Sequence, residues 1–108
     1  MTEPTKLVLR ALLQDPTREM YGLEVCTVVG LPPGTVHPIL TRFEGLTWLE
    51  SWFETVDPTE AGRPRRRYFR FTREGAENAR NALVKAEQSR TGQRARRRLG
   101  LPRPAAEA

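Results

Sequence analysis

The sequence is poor in the residue types from which metal sites and disulfide frameworks are built. Its 108 residues include one cysteine and one histidine, too few for the four nitrogen or sulfur ligands of a structural zinc site or for a disulfide within the chain. No uninterrupted apolar stretch approaches the ~18 residues that a membrane-spanning helix needs. We therefore expect no metal, no cofactor and no membrane association, and a soluble protein of the reducing cytoplasm.

The two scarce residues also give little sign of catalysis. The single histidine, His37, has no carboxylate or hydroxyl motif near it, so a hydrolytic triad would have to be assembled from unrelated loops. The single cysteine, Cys26, is either a redox switch or a packing residue on an apolar helix face, and packing is the simpler interpretation. These features predict that the protein is not an enzyme.

Lysine is scarce as well, because sixteen of the eighteen basic residues are arginine. The planar guanidinium pairs with phosphate oxygens and with guanine edges. The charge is also unevenly distributed: residues 1–62 carry four basic and nine acidic groups, a net charge of −5, whereas residues 63–108 carry fourteen basic and four acidic groups, a net charge of +10. A regional excess of this kind favours a directed contact with a polyanion, and nucleic acid is the first partner to consider.

The first half of the chain contains three segments with a helical pattern. Residues 5–14 place apolar side chains at helical spacing, and Asp15-Pro16 ends that pattern. Residues 21–29 are ambiguous, because their β-branched side chains favour a strand although three valines also fit helical spacing. Residues 33–44 carry a single apolar stripe, formed by Val36, Ile39, Leu40 and Phe43.

Pro38 bears on where this third helix begins. With Thr35 as N-cap, Pro38 falls at the third helical position, where no intrahelical hydrogen bond is lost. A start at Pro32-Pro33 would leave Pro38 deeper in the helix and would kink it slightly. The face opposite the apolar stripe is small and carries one fixed charge, that of Arg42.

Two aromatic-rich runs, residues 48–53 and 67–71, predict an antiparallel ribbon joined by a long tip that contains proline and glycine. Trp48 and Trp52 either stack on an aromatic effector or lie in the first strand and cover a small core. Covering the core is the simpler interpretation for large aromatic side chains in a strand.

A further helix is expected after the ribbon. Thr72 can cap it and Gly92 can end it. The apolar stripe of this helix is made of small side chains and is either part of the core of one chain or a seam between two chains. It consists of Ala76, Ala79, Leu83 and Ala86. The remaining residues, 93–108, are polar and rich in arginine, proline and alanine, which predicts a disordered tail. This tail either is a solvated terminus or adds sequence-independent attraction to nucleic acid.

The order helix, helix, helix, β-ribbon, helix is that of a winged helix-turn-helix domain, and four motifs resemble the PadR family of bacterial transcriptional regulators. Residues 21–25, YGLEV, are similar to the opening of the family's second helix, and residues 31–40, LPPGTVHPIL, are similar to its recognition-helix motif. Residues 49–51, LES, resemble the start of its first wing strand. Residues 62–75, GRPRRRYFRFTREG, resemble its wing tip, second strand and helix cap.

The resemblance covers roughly residues 7–90 and implies that residues 21–29 are helical. The chain departs from the family pattern at three positions. His37 stands where the family usually has tyrosine, and Pro32 replaces the usual serine N-cap. Thr47 occupies the place where a glycine commonly turns the chain into the wing.

The resemblance implies a mainly α fold with a two-stranded β-ribbon. It divides the chain into a winged helix-turn-helix DNA-binding domain at residues 5–75, a C-terminal dimerisation helix at residues 72–92 and the arginine-rich tail at residues 93–108. Family members of this short type, with one C-terminal helix, typically act as dimeric repressors, and some are relieved by small molecules. We therefore expect two partners, double-stranded DNA with a pseudo-palindromic operator and a second copy of the chain. The sequence does not identify an effector.

The same resemblance implies that helix 33–45 enters the major groove and that a basic wing, residues 54–67, contacts the DNA backbone. The expected recognition-helix contacts are Thr35, His37, Pro38, Thr41 and Arg42. The expected wing contacts are Arg63, Arg65, Arg66 and Arg67, of which about three would neutralise phosphates. The expected dimer contacts are Leu7, Val8, Leu12, Ala76, Ala79, Leu83, Val84 and Ala86.

A second hypothesis belongs to a different class of protein. A basic protein-interaction or RNA-binding adaptor can have a winged fold without operator specificity, and runs of charge are often only solvated surface. The specificity ratio separates the two hypotheses, because a regulator prefers its operator over random duplex by ~10³ or more.

Overall fold

The computed structural model describes the backbone of residues 1–100 and the side chains of residues 1–88 and 100. Within this part of the chain the elements follow in the order α1 (Glu3–Leu13), β1 (Met20–Tyr21), α2 (Gly22–Val29), α3 (Pro33–Gly45), β2 (Leu49–Phe53), α4 (Pro58–Ala61), β3 (Arg67–Phe71) and α5 (Gly75–Leu99). No helix among these residues is long and apolar enough to cross a membrane.

Helix α1 begins, and helix α2 ends, at a residue suited to that position. Thr2 caps α1 by accepting a hydrogen bond from the amide of Thr5 at 3.4 Å, and a proline stands in the first turn. The ambiguous segment 21–29 forms α2, as the resemblance implied. It ends at Gly30, whose φ of 70° is the left-handed conformation that glycine adopts at low cost. Burial favours the helix over a strand here, because the helix places Val25 and Cys26 together in the core.

The range 33–45 expected for the third helix is the observed one, but the prediction that Thr35 is its N-cap is wrong. Helix α3 begins at Pro33 after an extended Pro32, whose carbonyl accepts hydrogen bonds from the amides of Thr35 and Val36 at 3.0 and 3.1 Å. Proline is tolerated at the first position because its missing N–H would have had no helical partner. Thr35 is therefore inside the helix and not its cap. Pro38 lies at the sixth position, where it withholds one helical hydrogen bond.

The sheet has a third strand that the sequence did not reveal. Its order is β1-β3-β2, with antiparallel pairing in which Met20 lies opposite Phe69 and Leu49 lies opposite Phe71. These four side chains are buried and cover the helices. Because β1 is only two residues long, it shows no alternation from which a strand could be predicted.

The two tryptophans occupy different environments. Trp48 precedes β2, stacks on Phe43 with ring centroids 5.3 Å apart and borders the core. Trp52 lies on the outer face of the sheet, where it stacks on Tyr68 at 6.4 Å. Trp52 therefore lies in the strand as predicted but does not cover the core, and Trp48 covers the core from just outside the strand.

The core joins the helices to the inner face of the sheet. Its largest fully buried side chains are Val8, Leu9, Val25, Val36, Leu40 and Leu49. The buried stripe predicted for α3 is observed in full. Among the side chains that the structure describes, one charged residue is also buried: Lys6 of α1, at 4% exposure, pairs with Glu87 of α5 at 3.2 Å. Arg10 donates to the same carboxylate at 2.8 Å. These pairs connect the last helix to the first.

The turn into the sheet is closed by the segment that precedes α5. Thr47 has a φ of 61°, and Gly75 sits so close to Trp48 that an added Cβ would overlap the Trp48 carbonyl oxygen. Thr72 donates its hydroxyl to the carbonyl of Thr47 at 2.7 Å. The hydroxyl of Thr72 therefore fastens this turn, and the prediction that it caps α5 is wrong because the helix begins at Gly75.

The last helix also runs further than predicted. Helix α5 continues through Gly92 to Leu99 and is followed by Gly100 with φ 70°. A single glycine costs a helix only about 1 kcal/mol relative to alanine, and the alanine and arginines that follow are good helix formers. The start of the predicted tail, residues 93–99, is thus helical, and the rest of it, residues 101–108, lies outside the described residues.

Candidate nucleic-acid interface

Helix α3 presents one of its faces to solvent because the opposite face is anchored in the core. Val36, Ile39, Leu40 and Phe43 are all buried, so the residues between them point away from the domain. The outward set is exposed at His37, Pro38, Thr41 and Arg42 and half-buried at Thr35. All five residues predicted for DNA recognition thus lie on the same helix, and four of them are exposed.

His37 is held against the start of the neighbouring helix. A Cβ placed on Gly22, the first residue of α2, would lie 2.7 Å from Nε2 of His37. The absence of a side chain at Gly22 therefore leaves room for the Nε2 edge of the imidazole to approach α2. The sequence motif that begins with Tyr21-Gly22 has a physical basis in this close approach.

Glu54 organises the tip of the wing. Its carboxylate pairs with the guanidinium of Arg63 and accepts a hydrogen bond of 2.8 Å from the backbone N–H of Arg66. The hydrogen bond from Arg63 and the one from the Arg66 amide hold the pKa of Glu54 below its ordinary value. The same hydrogen bond with Glu54 raises the pKa of Arg63. The two ends of the wing loop are thereby fastened to each other.

Arg67 connects the wing to the recognition helix. Its guanidinium donates to both carboxylate oxygens of Glu44, at 2.8 and 3.0 Å, and to the hydroxyl of Ser51 at 2.8 Å. Glu44 lies in the last turn of α3, and its carboxylate also accepts a hydrogen bond from Ser51. The carboxylate thus holds the first residue of β3 against the end of the recognition helix.

The other two wing arginines have their charge available. Arg65 is exposed and donates from Nε to the carbonyl of Val56 at 3.0 Å. The guanidinium of Arg66 lies 4.3 Å from the ring centroid of Tyr21. Within the described part of the chain neither has a carboxylate within ion-pair distance, and Arg66 interacts with Glu54 only through the longer-range attraction between their charges. The four predicted wing arginines therefore fall into two pairs: Arg63 and Arg67 are neutralised within the fold, and Arg65 and Arg66 are available to an external anion.

A cleft of about 470 Å³ separates the wing from the helices. One wall is formed by Tyr21, Gly22, Leu23, Thr27, His37 and Thr41. The other wall is formed by the wing residues 63–67 and by Phe69. None of these residues is acidic, so the cleft is a positively charged channel between α3 and the wing. Arg42, also on α3, lies outside it.

The residues predicted for dimerisation are divided between the core and the surface. Val8, Leu12 and Ala79 are buried within the single chain, so their side chains are covered before any partner binds. Ala76, Leu83 and Ala86 are half-buried. Leu7 and Val84 remain exposed, and an open depression of about 480 Å³ beside Val84 lies between α1 and α5. The surface available to a second copy is therefore narrower than the predicted set.

Three residues of the interface were not found from the sequence. Glu44 and Glu54 hold the wing in place by pairing with Arg67 and Arg63. The ring of Tyr21 lies against the guanidinium of Arg66. Their signal is present but weak, because both carboxylates are isolated acidic residues that flank β2 and have no fixed spacing from their arginine partners. Cys26 is buried, which raises the pKa of its thiol, and this favours packing over reactivity.

The comparisons with known proteins give matches at the level of structure. Neither the protein-family models nor the curated proteins match the sequence. A PadR family transcription regulator from Clostridium difficile R20291 is similar, with 21% identity, a TM-score of 0.60 and coverage of 91% of this chain and 98% of that chain. A transcriptional regulator homologue from Pyrococcus horikoshii OT3 has 18% identity, a TM-score of 0.62 and coverage of 84% of each chain.

A third structure, a possible transcriptional regulator from Methanosarcina mazei Go1, has 16% identity and a TM-score of 0.60, and the match covers 90% of this chain and 78% of that chain. These identities are low, so the comparisons establish the architecture. The protein has the winged helix-turn-helix fold of transcriptional regulators, and its fold is similar to that of a PadR family member, as the sequence motifs indicated.

Proposed function

We propose that the protein is a sequence-specific double-stranded DNA-binding transcriptional regulator that acts as a homodimeric repressor. One observation carries the proposal: His37 and Thr41 of α3 face Arg65 and Arg66 of the wing across one channel with no acidic lining residue. A helix that can enter the major groove and a cationic ribbon beside it match the two contacts that a winged domain makes with a duplex.

The division of the arginines assigns separate roles within this proposal. Arg42 and Thr41 on the outer face of α3 contact base edges and so set sequence preference. Arg65 and Arg66 contact phosphates and so set affinity without reading sequence. Arg63 and Arg67 hold the wing in place through Glu54 and Glu44.

A dimer follows from the small size of this interface. One short helix and two cations per chain bind weakly, whereas two half-sites about 34–36 Å apart combine their affinities. The structural neighbours are described as transcriptional regulators, which supports DNA as the partner. Repression is the role that the PadR resemblance implies.

The test is selection of duplexes from a random pool at defined salt concentration. We expect enrichment of a pseudo-palindrome bound at least ~10³ times more tightly than random duplex. If Arg65 and Arg66 each neutralise one phosphate in each chain of a dimer, log Kd against log salt has a slope of magnitude about 4. An unenriched pool would overturn the proposal.

The adaptor hypothesis is favoured by one observation. Two of the four wing arginines are already neutralised by Glu44 and Glu54, so the wing offers less charge to a phosphate backbone than the sequence suggested. An adaptor needs no operator, and the same selection would return binding that is weak, salt-sensitive and equal for all sequences.

A further inference from the structure

We infer that Thr72 is a positioning residue that holds α5 at one angle to the recognition helix and thereby sets which half-site spacing a dimer accepts. It acts through the turn 46–48 and the segment 72–75, which together we call the α3–α5 joint. The consequence for half-site spacing rests on the proposed function. The structural part, a fixed angle between the two helices, is independent of any operator.

The joint attaches the start of α5 to the turn. The hydroxyl of Thr72 donates to the carbonyl of Thr47 at 2.7 Å, and its amide donates to the carbonyl of Trp48 at 2.9 Å. Gly75 is the first residue of α5, and an added Cβ there would overlap the same carbonyl oxygen of Trp48. The helix therefore begins in direct contact with the backbone of the turn, with no space in which to slide.

The joint also attaches the turn to the recognition helix. The amide of Trp48 donates to the carbonyl of Phe43 at 3.0 Å, and the two rings stack with their centroids 5.3 Å apart. Phe43 is buried and belongs to the apolar stripe that anchors α3 in the core. A continuous path of hydrogen bonds and ring contacts thus runs from α3 through Trp48 to Thr72 and α5.

The backbone of the turn is strained, and the joint holds it in that conformation. Thr47 has a φ of 61°, which is rare for a β-branched residue. Such a conformation persists only where surrounding contacts over-determine it. The hydrogen bond from Thr72 to the Thr47 carbonyl is one of these contacts. Without it, the turn can relax and the angle between α3 and α5 is free to vary.

The later part of α5 is held in a more adaptable way. Glu87 pairs with Lys6 at 3.2 Å and with Arg10 at 2.8 Å, in each case through a long side chain of α1. A long, flexible stem can keep an ion pair while the helix rotates slightly. The joint, which bonds backbone atoms, is therefore the point that fixes the direction of α5.

This angle has a consequence for DNA if α5 joins the two chains of a dimer. One base pair inserted between two half-sites moves them apart by ~3.4 Å and rotates one relative to the other by about a tenth of a turn. A rigid joint accepts one spacing and rejects its neighbours, whereas a loose joint accepts several.

The first experiment measures the joint in the full-length protein without DNA. Spin labels at Thr41→Cys on α3 and Lys85→Cys on α5 are placed at exposed positions, with Cys26→Ala to remove the only native thiol. Labelled chains are diluted into unlabelled chains, so that double electron–electron resonance reports the distance within one chain. The distance distribution should broaden when Thr72→Val is added. An unchanged distribution would overturn the inference.

Two further variants test whether the hydroxyl of Thr72 is responsible. Thr72→Ser keeps a hydroxyl and should restore the narrow distribution. Thr17→Val is the matched control, because it removes a hydroxyl that donates to Asp15 at 3.0 Å in an exposed turn. It should leave the distribution unchanged. Equal broadening in Thr17→Val and Thr72→Val would show general loosening of the domain and would overturn the inference.

The second experiment measures spacing with the selected operator and with versions that have one base pair inserted or deleted at the centre. Either change should weaken binding by the wild type about tenfold or more, because the second recognition helix misses its half-site. For Thr72→Val the loss should be only about threefold or less. Both proteins should bind a duplex with a single half-site equally well, because Thr72 is not among the expected DNA contacts. A weaker single half-site complex in Thr72→Val would show damage to the domain and would overturn the positioning role.

The two experiments separate this inference from the proposed function. A selection that returns no operator overturns the proposed function, while the spin-label distances still decide whether Thr72 fixes the angle. An operator whose spacing preference is the same for the wild type and Thr72→Val supports the proposed function and overturns the inference.

Discussion

Gly75 occupies a position where any side chain would collide with the backbone. An added Cβ would overlap the carbonyl oxygen of Trp48, and that carbonyl accepts the amide hydrogen bond of Thr72 at 2.9 Å. We therefore expect Gly75→Ala to lower the free energy of unfolding by about 1–3 kcal/mol, as overpacking does. Urea denaturation followed by circular dichroism measures this change.

The control for Gly75→Ala is the same substitution where space is open. Gly45, the last residue of α3, has nothing within 4 Å of its missing Cβ. There alanine should leave stability unchanged or raise it by up to about 1 kcal/mol, because it restricts the unfolded chain. An equal loss at both positions would contradict the steric explanation.

Thr47 stores backbone strain in the turn that leads into β2. Its φ of 61° lies in the left-handed region, which is costly for a β-branched residue. Thr47→Gly should raise the free energy of unfolding by about 0.5–1 kcal/mol, and thermal melts should show a higher Tm. Thr47→Ala retains a Cβ and should gain less. A destabilised glycine variant would show that the threonine hydroxyl outweighs the strain.

Arg42 and Arg65 differ in what they can contact. Arg42 is on the outer face of the recognition helix and Arg65 is on the wing, so Arg42→Ala should reduce discrimination between operator and random duplex by about 1–3 kcal/mol. Arg65→Ala should weaken binding to both duplexes by the same factor. Fluorescence anisotropy with the two duplexes measures both ratios, and equal effects from the two variants would contradict the assignment.

At the scale of the element, the carboxylate of Glu54 holds the wing loop in place. Glu54 accepts hydrogen bonds from Arg63 and from the amide of Arg66, and these hold its pKa below the ordinary value of about 4.3. A depressed folded-state pKa contributes stability above the unfolded-state pKa, and this contribution is lost as the pH falls through the folded-state pKa. Glu54→Gln should therefore be less stable than the wild type at neutral pH, with a difference that vanishes on acidification below the folded-state pKa.

The pH dependence is measured by urea denaturation of the wild type and the variant between neutral and acidic pH. Glu60→Gln is the matched control, because Glu60 is an exposed carboxylate in the same loop, on α4. A difference of the same size in Glu60→Gln, or a Glu54→Gln difference that persists in acid, would contradict the role of Glu54.

Element prediction from the sequence succeeded where a pattern was long and failed where the contact partner was distant. The stripe of α3 follows from its helical spacing, and the two long strands follow from aromatic-rich runs on either side of a loop with proline and glycine. Strand β1 has two residues and exists because β3 offers it an edge, which no local pattern can reveal. Threonine is a residue type that caps helices and glycine is one that ends them. In the structure the Thr72 hydroxyl donates instead to the carbonyl of Thr47. Helix α5 continues through Gly92 because the residues after it are good helix formers.

At the scale of the whole molecule, part of the positive charge of residues 63–108 is neutralised by ion pairs within the fold. Arg63, Arg67 and Arg70 pair with carboxylates of the first half, namely Glu54, Glu44, Glu19 and Glu50. The composition predicted the basic wing but could not show this pairing, because the partners are up to 51 residues apart in the chain. The sequence therefore predicted the helix and the wing that carry the candidate interface, and it overestimated the number of arginines free of carboxylate partners.

The attachment of α5 to α1 determines what surface remains for a second copy. Lys6 and Arg10 bind Glu87 and bring the two helices together, while Val84 stays 54% exposed beside them. An isologous interface contains each residue twice, so one introduced charge is buried twice. Val84→Asp should therefore weaken the proposed dimer by about 100-fold or more, because an unpaired carboxylate is costly to bury.

Sedimentation velocity at about 10 µM measures the association of the chains, in a range where a standard interface of ~800 Å² per partner holds a dimer. The wild type should sediment as a dimer and Val84→Asp as a monomer. The matched control is Val28→Asp, because Val28 is a helical valine of similar exposure, 58%, on α2. A monomeric wild type, or dissociation of both variants, would contradict the assignment of the α1–α5 surface as the dimer interface.

If only Val84→Asp dissociates and its operator affinity falls while the slope of log Kd against log salt halves, the two recognition helices act as one unit through this surface.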